Sequence, residues 1–266
     1  MTIADTPASS DRLEALAVEL SAPVNLRDLG GTPVRDGEIR PGFAIRADDL
    51  SYVTDEVAVA LVEAGLSTVI DLRSNVETRI TGRGPLADHA VTYHHVSLMS
   101  DLRSAVSSDD LLSGDYREVY VPMYVSLFER SAPLLVNALA VMATAPGTVA
   151  FHCAAGKDRT GVLAASLLLA LGADDDTIVD DYARTGPNVD AIMARTRAVV
   201  TPMLRAMGVE LDAAVLAASE RAFDAEAMRG TLRALRERHD GDALAPVRAA
   251  GLDDSLVEML RGRALA

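Results

Sequence analysis

The spacing of apolar positions changes several times along the chain, and each change marks a predicted element. Residues 1–10 are polar and without period, and Ser10 or Asp11 can cap a short helix, Asp11–Leu20. Asp36-Gly37, inside Pro33–Arg40 and flanked by short β-like stretches, is a strong hairpin signal. Phe43–Arg46 reads as a short strand. Thr54 then caps an amphipathic helix, Asp55–Ala64, that ends at Gly65. Leu66–Asp71, rich in β-branched residues, reads as a buried strand, and Val91–Leu98 as another. Met99–Gly114 is polar and reads as a long loop. Tyr116–Arg130 and Ser131–Ala143 read as helices, the second with Ser131 as cap and Pro133 in its first turn. Thr148–His152 is a short apolar strand, followed by a loop and a helix, Arg159–Leu171, stopped by Gly172. Beyond Ala173 the pattern is helical: Asp176–Ala183, Asn188–Met207, Asp212–Ala222, Ala225–His239 and a short helix near Asp254–Arg261. Strands alternating with helices over the first two-thirds predict an α/β fold with a parallel or mixed sheet. The helical final third would cover one side of that sheet or form a lid.

Composition narrows the class. The chain has 266 residues, 49% hydrophobic and 24% charged, which fits one folded domain over residues 1–266 with an N-terminal extension over about 1–22. A net charge of −14 argues against a nucleic-acid binder or a polybasic membrane binder. The longest apolar runs, Val162–Ala173 and Leu134–Ala145, are too short to span a bilayer, so no stable membrane insertion is expected. Asp5, Asp11 and Glu14 stand where a signal peptide would be basic and then apolar, so no cleaved signal is expected. The one cysteine, Cys153, permits no intrachain disulfide and favours a reducing, cytoplasmic setting. Export without a cleaved signal leaves no mark of this kind. Of 25 basic residues, one is a lysine, and that Lys157 lies four residues after the one cysteine.

The loop between the Thr148–His152 strand and the next helix reads His152-Cys153-Ala154-Ala155-Gly156-Lys157-Asp158-Arg159-Thr160-Gly161. Cysteine and arginine at this spacing are a weak signal alone; with the strand, the glycines, Thr160 and the helix they match the needs of phosphate-ester cleavage. The nucleophile must be a thiolate, and a helix N-terminus beside Arg and Lys favours that form of a cysteine. Phosphate oxygens need donors, which the successive amides of Ala154, Ala155, Gly156, Lys157 and Asp158 can supply in a tight turn that Gly156 permits. Arg159 can grip two oxygens through its planar fork. Thr160 can donate its hydroxyl to the sulfur. The competing reading of Cys153 is a small buried hydrophobe.

His-Cys-x5-Arg-Thr-Gly resembles the phosphate-binding loop of the cysteine-dependent protein tyrosine phosphatase superfamily. With Asn25-Leu26-Arg27-Asp28-Leu29-Gly30-Gly31, Asp71-Leu72-Arg73-Ser74 and Ile178-Val179-Asp180-Asp181-Tyr182, the chain is most similar to the bacterial tyrosine and phosphoinositide phosphatases of the protein-tyrosine-phosphatase-B type. The resemblance runs over roughly residues 23–264. It implies a twisted, mostly parallel central sheet flanked by helices, a helical C-terminal lid over about residues 188–229, Cys153 as nucleophile and Arg159 as phosphate ligand. It also implies a phosphorylated protein or phosphoinositide substrate, inorganic phosphate as product, and no metal or organic cofactor. The general acid stays open: Asp101 occupies the matching place after the Val91–Leu98 strand, Asp158 lies in the loop itself, and Asp71 or another loop acid follows. Lys157 would add positive charge near the entrance, as multiply phosphorylated inositol lipids would require. Asp71 and Arg73 would tie the loop to the sheet, Arg27 and Asp28 would pair to fix the N-terminal loop, and His152 would pack beneath the phosphate loop. His94 and His95, adjacent in a strand, face opposite sides and make a poor metal site, and Asp174–Asp176 lack calcium-loop spacing. Phosphoinositide hydrolysis, a phosphate-binding module without turnover, and rhodanese- or arsenate-reductase-type sulfur chemistry are the rival functions; the absence of a second, resolving cysteine disfavours the last.

Overall fold

The computed structural model describes residues 19–98, 116–206 and 223–265. Its strands, in chain order, are β1 (Arg27–Asp28), β2 (Pro33–Val34), β3 (Gly37–Glu38), β4 (Ala44–Ala47), β5 (Leu66–Asp71), β6 (Thr92–His95) and β7 (Thr148–His152). The α-helices are α1 (Asp55–Glu63), α2 (Asn75–Thr81), α3 (Tyr116–Arg130), α4 (Ala132–Thr144), α5 (Asp158–Leu171), α6 (Asp175–Ala183), α7 (Val189–Ala206), α8 (Glu226–Arg238), α9 (Ala245–Ala249) and α10 (Asp254–Ala264). Single 3-10 turns occupy Gly84–Asp88 and Gly186–Asn188.

The main sheet has the order β1-β4-β7-β5-β6. β4, β7, β5 and β6 are parallel, and β1 is an antiparallel edge. Helices lie on both faces, which is why β5 and β7 are buried almost throughout rather than on alternate residues. Ile70, Val149 and Phe151 enter the main core with Tyr124, Phe128, Leu163 and Leu167, while Val69 and Ala150 enter a second cluster with Ala58 and Leu86. Register brings Ala47, His152, Asp71 and His95 side by side at the carboxyl ends of the parallel strands. Asp48-Asp49, Cys153–Lys157 and Leu72-Arg73 therefore leave the sheet together, at the edge where parallel sheets place their ligands.

The α/β class and the mostly parallel sheet agree with the sequence pattern, as do β5, β7 and the β2–β3 hairpin. Thr54 caps α1 as expected, its Oγ1 accepting from Val57 N. Gly172 ends α5 in the left-handed region at φ 86°. Other expectations need correction. α2, the Gly84–Asp88 turn and α9 were not read from the periodicity because each is too short to show one. β6 is shorter than Val91–Leu98 because pairing with β5 covers Thr92–His95 alone. Ser131 stands at the cap of α4 without capping it; its hydroxyl donates instead to Leu98 O at 3.4 Å. Arg27 does not pair with Asp28: its guanidinium reaches Asp181, and Asp28 accepts from Gly30 N and Gly42 N. The helix expected over Asp11–Leu20 lies outside the described residues except for Glu19 and Leu20, which are not helical. The Met99–Gly114 loop and the Asp212–Ala222 helix also lie outside them. Among the described residues, no single helix is long and apolar enough to cross a membrane.

Candidate active site

The loop after β7 is held from outside by its carbonyls. Cys153 O lies 3.2 Å from His152 Nδ1, and Ala154 O accepts from Asp49 N at 3.1 Å. Asn25 Nδ2 donates to Ala155 O at 3.3 Å and Gly156 O at 3.1 Å, and Arg46 Nη2 donates to Gly156 O at 3.0 Å. In a trans peptide the N–H points opposite to the preceding C=O. Four successive carbonyls turned onto the scaffold therefore turn the amides of residues 154–157 to the other side of the loop, as an anion nest requires. Gly156 closes the turn at φ 65°, and a Cβ there would lie 2.6 Å from Ala47 O and Asp48 N, so only glycine fits.

The scaffold is itself ionic. Arg27 Nη1 donates to Asn25 Oδ1 at 2.8 Å and fixes the amide that holds the loop. Arg27 and Arg46 both grip Asp181, whose carboxyl is held below the usual range because these charges outweigh its burial. Arg73 is fully buried and bonded to Asp71, Asp49, Ser51, Thr81 and Gly82 O. Burial would raise the Asp71 carboxyl, but His152 and Arg73 hold it well below the usual range. Asp71 thus ties the loops to the sheet, as expected, and its complete burial on Arg73 makes it no proton donor to a substrate. His152 packs beneath the loop as expected, buried between Asp49 and Asp71, each 3.8 Å from a ring nitrogen.

Arg159 is 7% exposed and meets Glu77 end-on, Nη1 to Oε2 at 2.7 Å and Nη2 to Oε1 at 2.9 Å. Its Nε–H and the outer hydrogen of Nη2, which together form the side fork of the guanidinium, have no partner among the described residues. Burial alone would lower the Arg159 pKa; the charges of Glu77, then Cys153 and Asp158, outweigh it and raise the guanidinium above its ordinary value. Burial also opposes the ionised Glu77, yet Arg159 and the Ser74 contacts hold that carboxyl at about 2. Cys153 is 2% exposed and belongs to the main core cluster, as the competing reading of a small buried hydrophobe would also have it. Thr160 Oγ1 is buried without a hydrogen-bond partner among the described residues, so the expected donation to the sulfur is not made in this structure.

Lys157 is buried: its ammonium lies over the Tyr120 ring, 4.7 Å from the centroid, and 3.7 Å from Asp158 Oδ1. Asp158, the first residue of α5, accepts from Tyr124 Oη at 2.5 Å. Asp101 lies outside the described residues. His94 and His95 contribute to no metal-binding group among the described residues; His95 Nε2 lies 2.7 Å from Arg73 O. Glu77, Arg46 and Tyr124 were missed by sequence reasoning. Only Glu77 left a local signal, the Ser74-x-x-Glu77 capping pattern next to Asp71-Leu72-Arg73.

Between α7 and this loop lies a small cleft lined by Thr196, Val199, Glu77, Asp49, Tyr52 and Ala154. Comparison with known proteins adds the family. The tyrosine phosphatase family model matches residues 18–266. The triple specificity protein phosphatase PtpB of Mycobacterium tuberculosis is 29% identical over 201 residues, covering 66% of this chain and 72% of that one. A provisionally named tyrosine-protein phosphatase of Cupriavidus necator is 31% identical over 222 residues, 76% of each chain. The crystal structure of P. aeruginosa TpbA in complex with pTyr is 19% identical, covers 62% of this chain and 85% of that one, and has a TM-score of 0.33, too low to inform the fold. A match over nearly the whole length, on a chain whose loop turns its amides inward beside one cysteine and one arginine, is decisive: this chain belongs to the tyrosine phosphatase family.

Proposed function

We propose that this protein tyrosine phosphatase works with Cys153 as nucleophile, Arg159 as phosphate clamp and Asp158 as proton donor. The Cys153 thiolate attacks phosphorus in line, the bond from phosphorus to the ester oxygen breaks, and that oxygen takes a proton from Asp158. Water then attacks the cysteinyl-phosphate and gives a proton to the Asp158 carboxylate. The sulfur–phosphorus bond breaks, inorganic phosphate leaves and the thiolate is restored. The amides of residues 154–157 and the Nε/Nη2 edge of Arg159 hold the non-bridging oxygens throughout. The observation that carries this reading is the outward turn of the four loop carbonyls.

Phosphotyrosine in proteins is the proposed substrate. The contacts of Lys157 with Asp158 and Tyr120 support the protein substrate over inositol lipids. The name of the mycobacterial relative supports a wider range, so phosphoserine, phosphothreonine and phosphoinositides belong in the same substrate panel. The segment of about 188–229 is proposed as a cover: Thr196 and Val199 of α7 face Glu77 and Ala154 across the cleft, and Cys153 is closed off.

Cys153→Ser should abolish turnover of an aryl phosphate while orthovanadate still binds; near wild-type turnover would end this reading. Asp158→Asn and Asp101→Asn, compared on poor and good leaving groups, identify the acid. The true donor matters mainly for the poor one.

A further inference from the structure

Resting on Asp158 as the proton donor, we propose that Tyr124 and Tyr182 are positioning residues that fix which oxygen of its carboxyl carries the transferable proton. Tyr124 Oη donates to Asp158 Oδ1 at 2.5 Å and lies 2.6 Å from Tyr182 Oη. A phenol has one proton to give. That of Tyr124 is committed to Oδ1, so the proton between the two phenols belongs to Tyr182. The chain of donation runs one way, from Tyr182 to Tyr124 to Asp158, and each bond polarises the next. Burial first, and the Asp158 charge next, raise both phenols above their ordinary pKa, so both stay donors at neutral pH. The Lys157 ammonium also faces Oδ1, at 3.7 Å. Oδ1 therefore carries a hydroxyl and a cation, while no donor meets Oδ2 among the described residues. Oδ2 is the oxygen left to give and take the proton.

The packing around the pair is built for this contact. A Cβ on Gly161 would lie 3.0 Å from Cδ2 and Cε2 of Tyr182, so the glycine that closes the phosphate-loop motif makes room for that ring. Phe223 stacks on Tyr182 with centroids 5.2 Å apart, and Tyr124 meets it edge-on at 6.0 Å. Two phenols in a core cost free energy unless their hydroxyls are satisfied, and phenylalanine would fill the same space without that demand. The hydroxyls end on Asp158 and on nothing else among the described residues.

Tyr124→Phe removes the donor and keeps the ring. On phenyl phosphate, a poor leaving group, kcat/KM should fall about tenfold. On 2,4-dinitrophenyl phosphate kcat/KM should stay within about twofold, with orthovanadate inhibition unchanged. Tyr182→Phe should show the same pattern at smaller size. Tyr124→Phe combined with Asp158→Asn should be no worse than Asp158→Asn alone. Wild-type kinetics in both phenylalanine variants, equal losses on both substrates, or additive losses in the double variant would overturn the inference. Equal losses from Asp158→Asn itself would be a different result, removing the proton-donor reading first.

Discussion

At the scale of the residue, the question is what holds Arg159 in the orientation its proposed role as phosphate ligand requires. A free arginine would have to surrender side-chain entropy on each binding event. Here Glu77 takes the end of the guanidinium and leaves its side fork without a partner among the described residues. Glu77→Gln keeps the size and removes the charge. It should weaken orthovanadate inhibition and lower kcat/KM by roughly tenfold or more; unchanged inhibition would show that Arg159 needs no holder. The same pair sets a pH dependence. With the folded carboxyl at about 2 and the ordinary value 4.5, the unfolded chain binds a proton that the folded chain refuses. The stabilisation is full above about pH 4.5 and is lost as pH falls toward 2, on the order of 3 kcal/mol. Chemical denaturation of Glu77→Gln across that window should show a correspondingly shallower loss. The loop that carries Cys153 and Arg159 was legible because one strand–loop–helix segment holds both. Glu77 was not, because its contact joins residues 82 positions apart. The Arg27–Asp28 expectation failed for the same reason: neighbours in sequence face different partners, and the true acceptor, Asp181, is 154 positions away.

At the scale of the element, α2 shows how a short helix becomes part of the site. Seven residues are too few to stand alone in water, yet Ser74 and Glu77 complete a capping box. Ser74 Oγ accepts from Glu77 N at 3.2 Å, and Glu77 Oε2 accepts from Ser74 N at 2.7 Å. That same Oε2 also takes Arg159 Nη1, so the helix start and the proposed phosphate clamp share one atom. Ser74→Ala should cost about 1 kcal/mol in urea unfolding, with a smaller loss of kcat/KM than Glu77→Gln. An unchanged urea midpoint would mean that Arg159 alone orders this turn. Elements were read well where the period had room to show. β5 and β7 came out with their observed bounds, and α5 to within one residue, because short β-branched or apolar stretches ended by polar loops, and an apolar helix stopped by Gly172, leave little choice. Elements held mainly by contacts from elsewhere, such as α9 and the Gly84–Asp88 turn, carry no such signature.

At the scale of the whole molecule, the layout of parallel strands follows from alternating elements, but the strand order and the straps across the site do not. One strap joins the N-terminal segment to α7. Arg195 Nη1 meets Asp48 Oδ2 at 2.7 Å and Asp49 O at 2.8 Å, its Nε meets Ser21 Oγ at 2.9 Å, and its guanidinium lies 4.1 Å from the Tyr52 ring centroid. Asp48 in turn accepts from Asn25 N at 2.9 Å, and Asn25 holds the loop carbonyls. One arginine thus pins α7 to the frame that shapes the loop, with Thr196 and Val199 over the cleft. If α7 is the cover through which substrate must pass, weakening this pin should open the site without touching the reacting groups. Arg195→Ala leaves Asp48 bound to Asn25 and should speed alkylation of Cys153 by iodoacetamide several-fold, because that rate reads the fraction of time the sulfur is exposed. The gain should exceed any fall in stability measured by urea unfolding, and orthovanadate should still protect the sulfur. An alkylation rate equal to wild type would mean that α7 does not gate Cys153, and the cover would then have to be sought in another part of the chain.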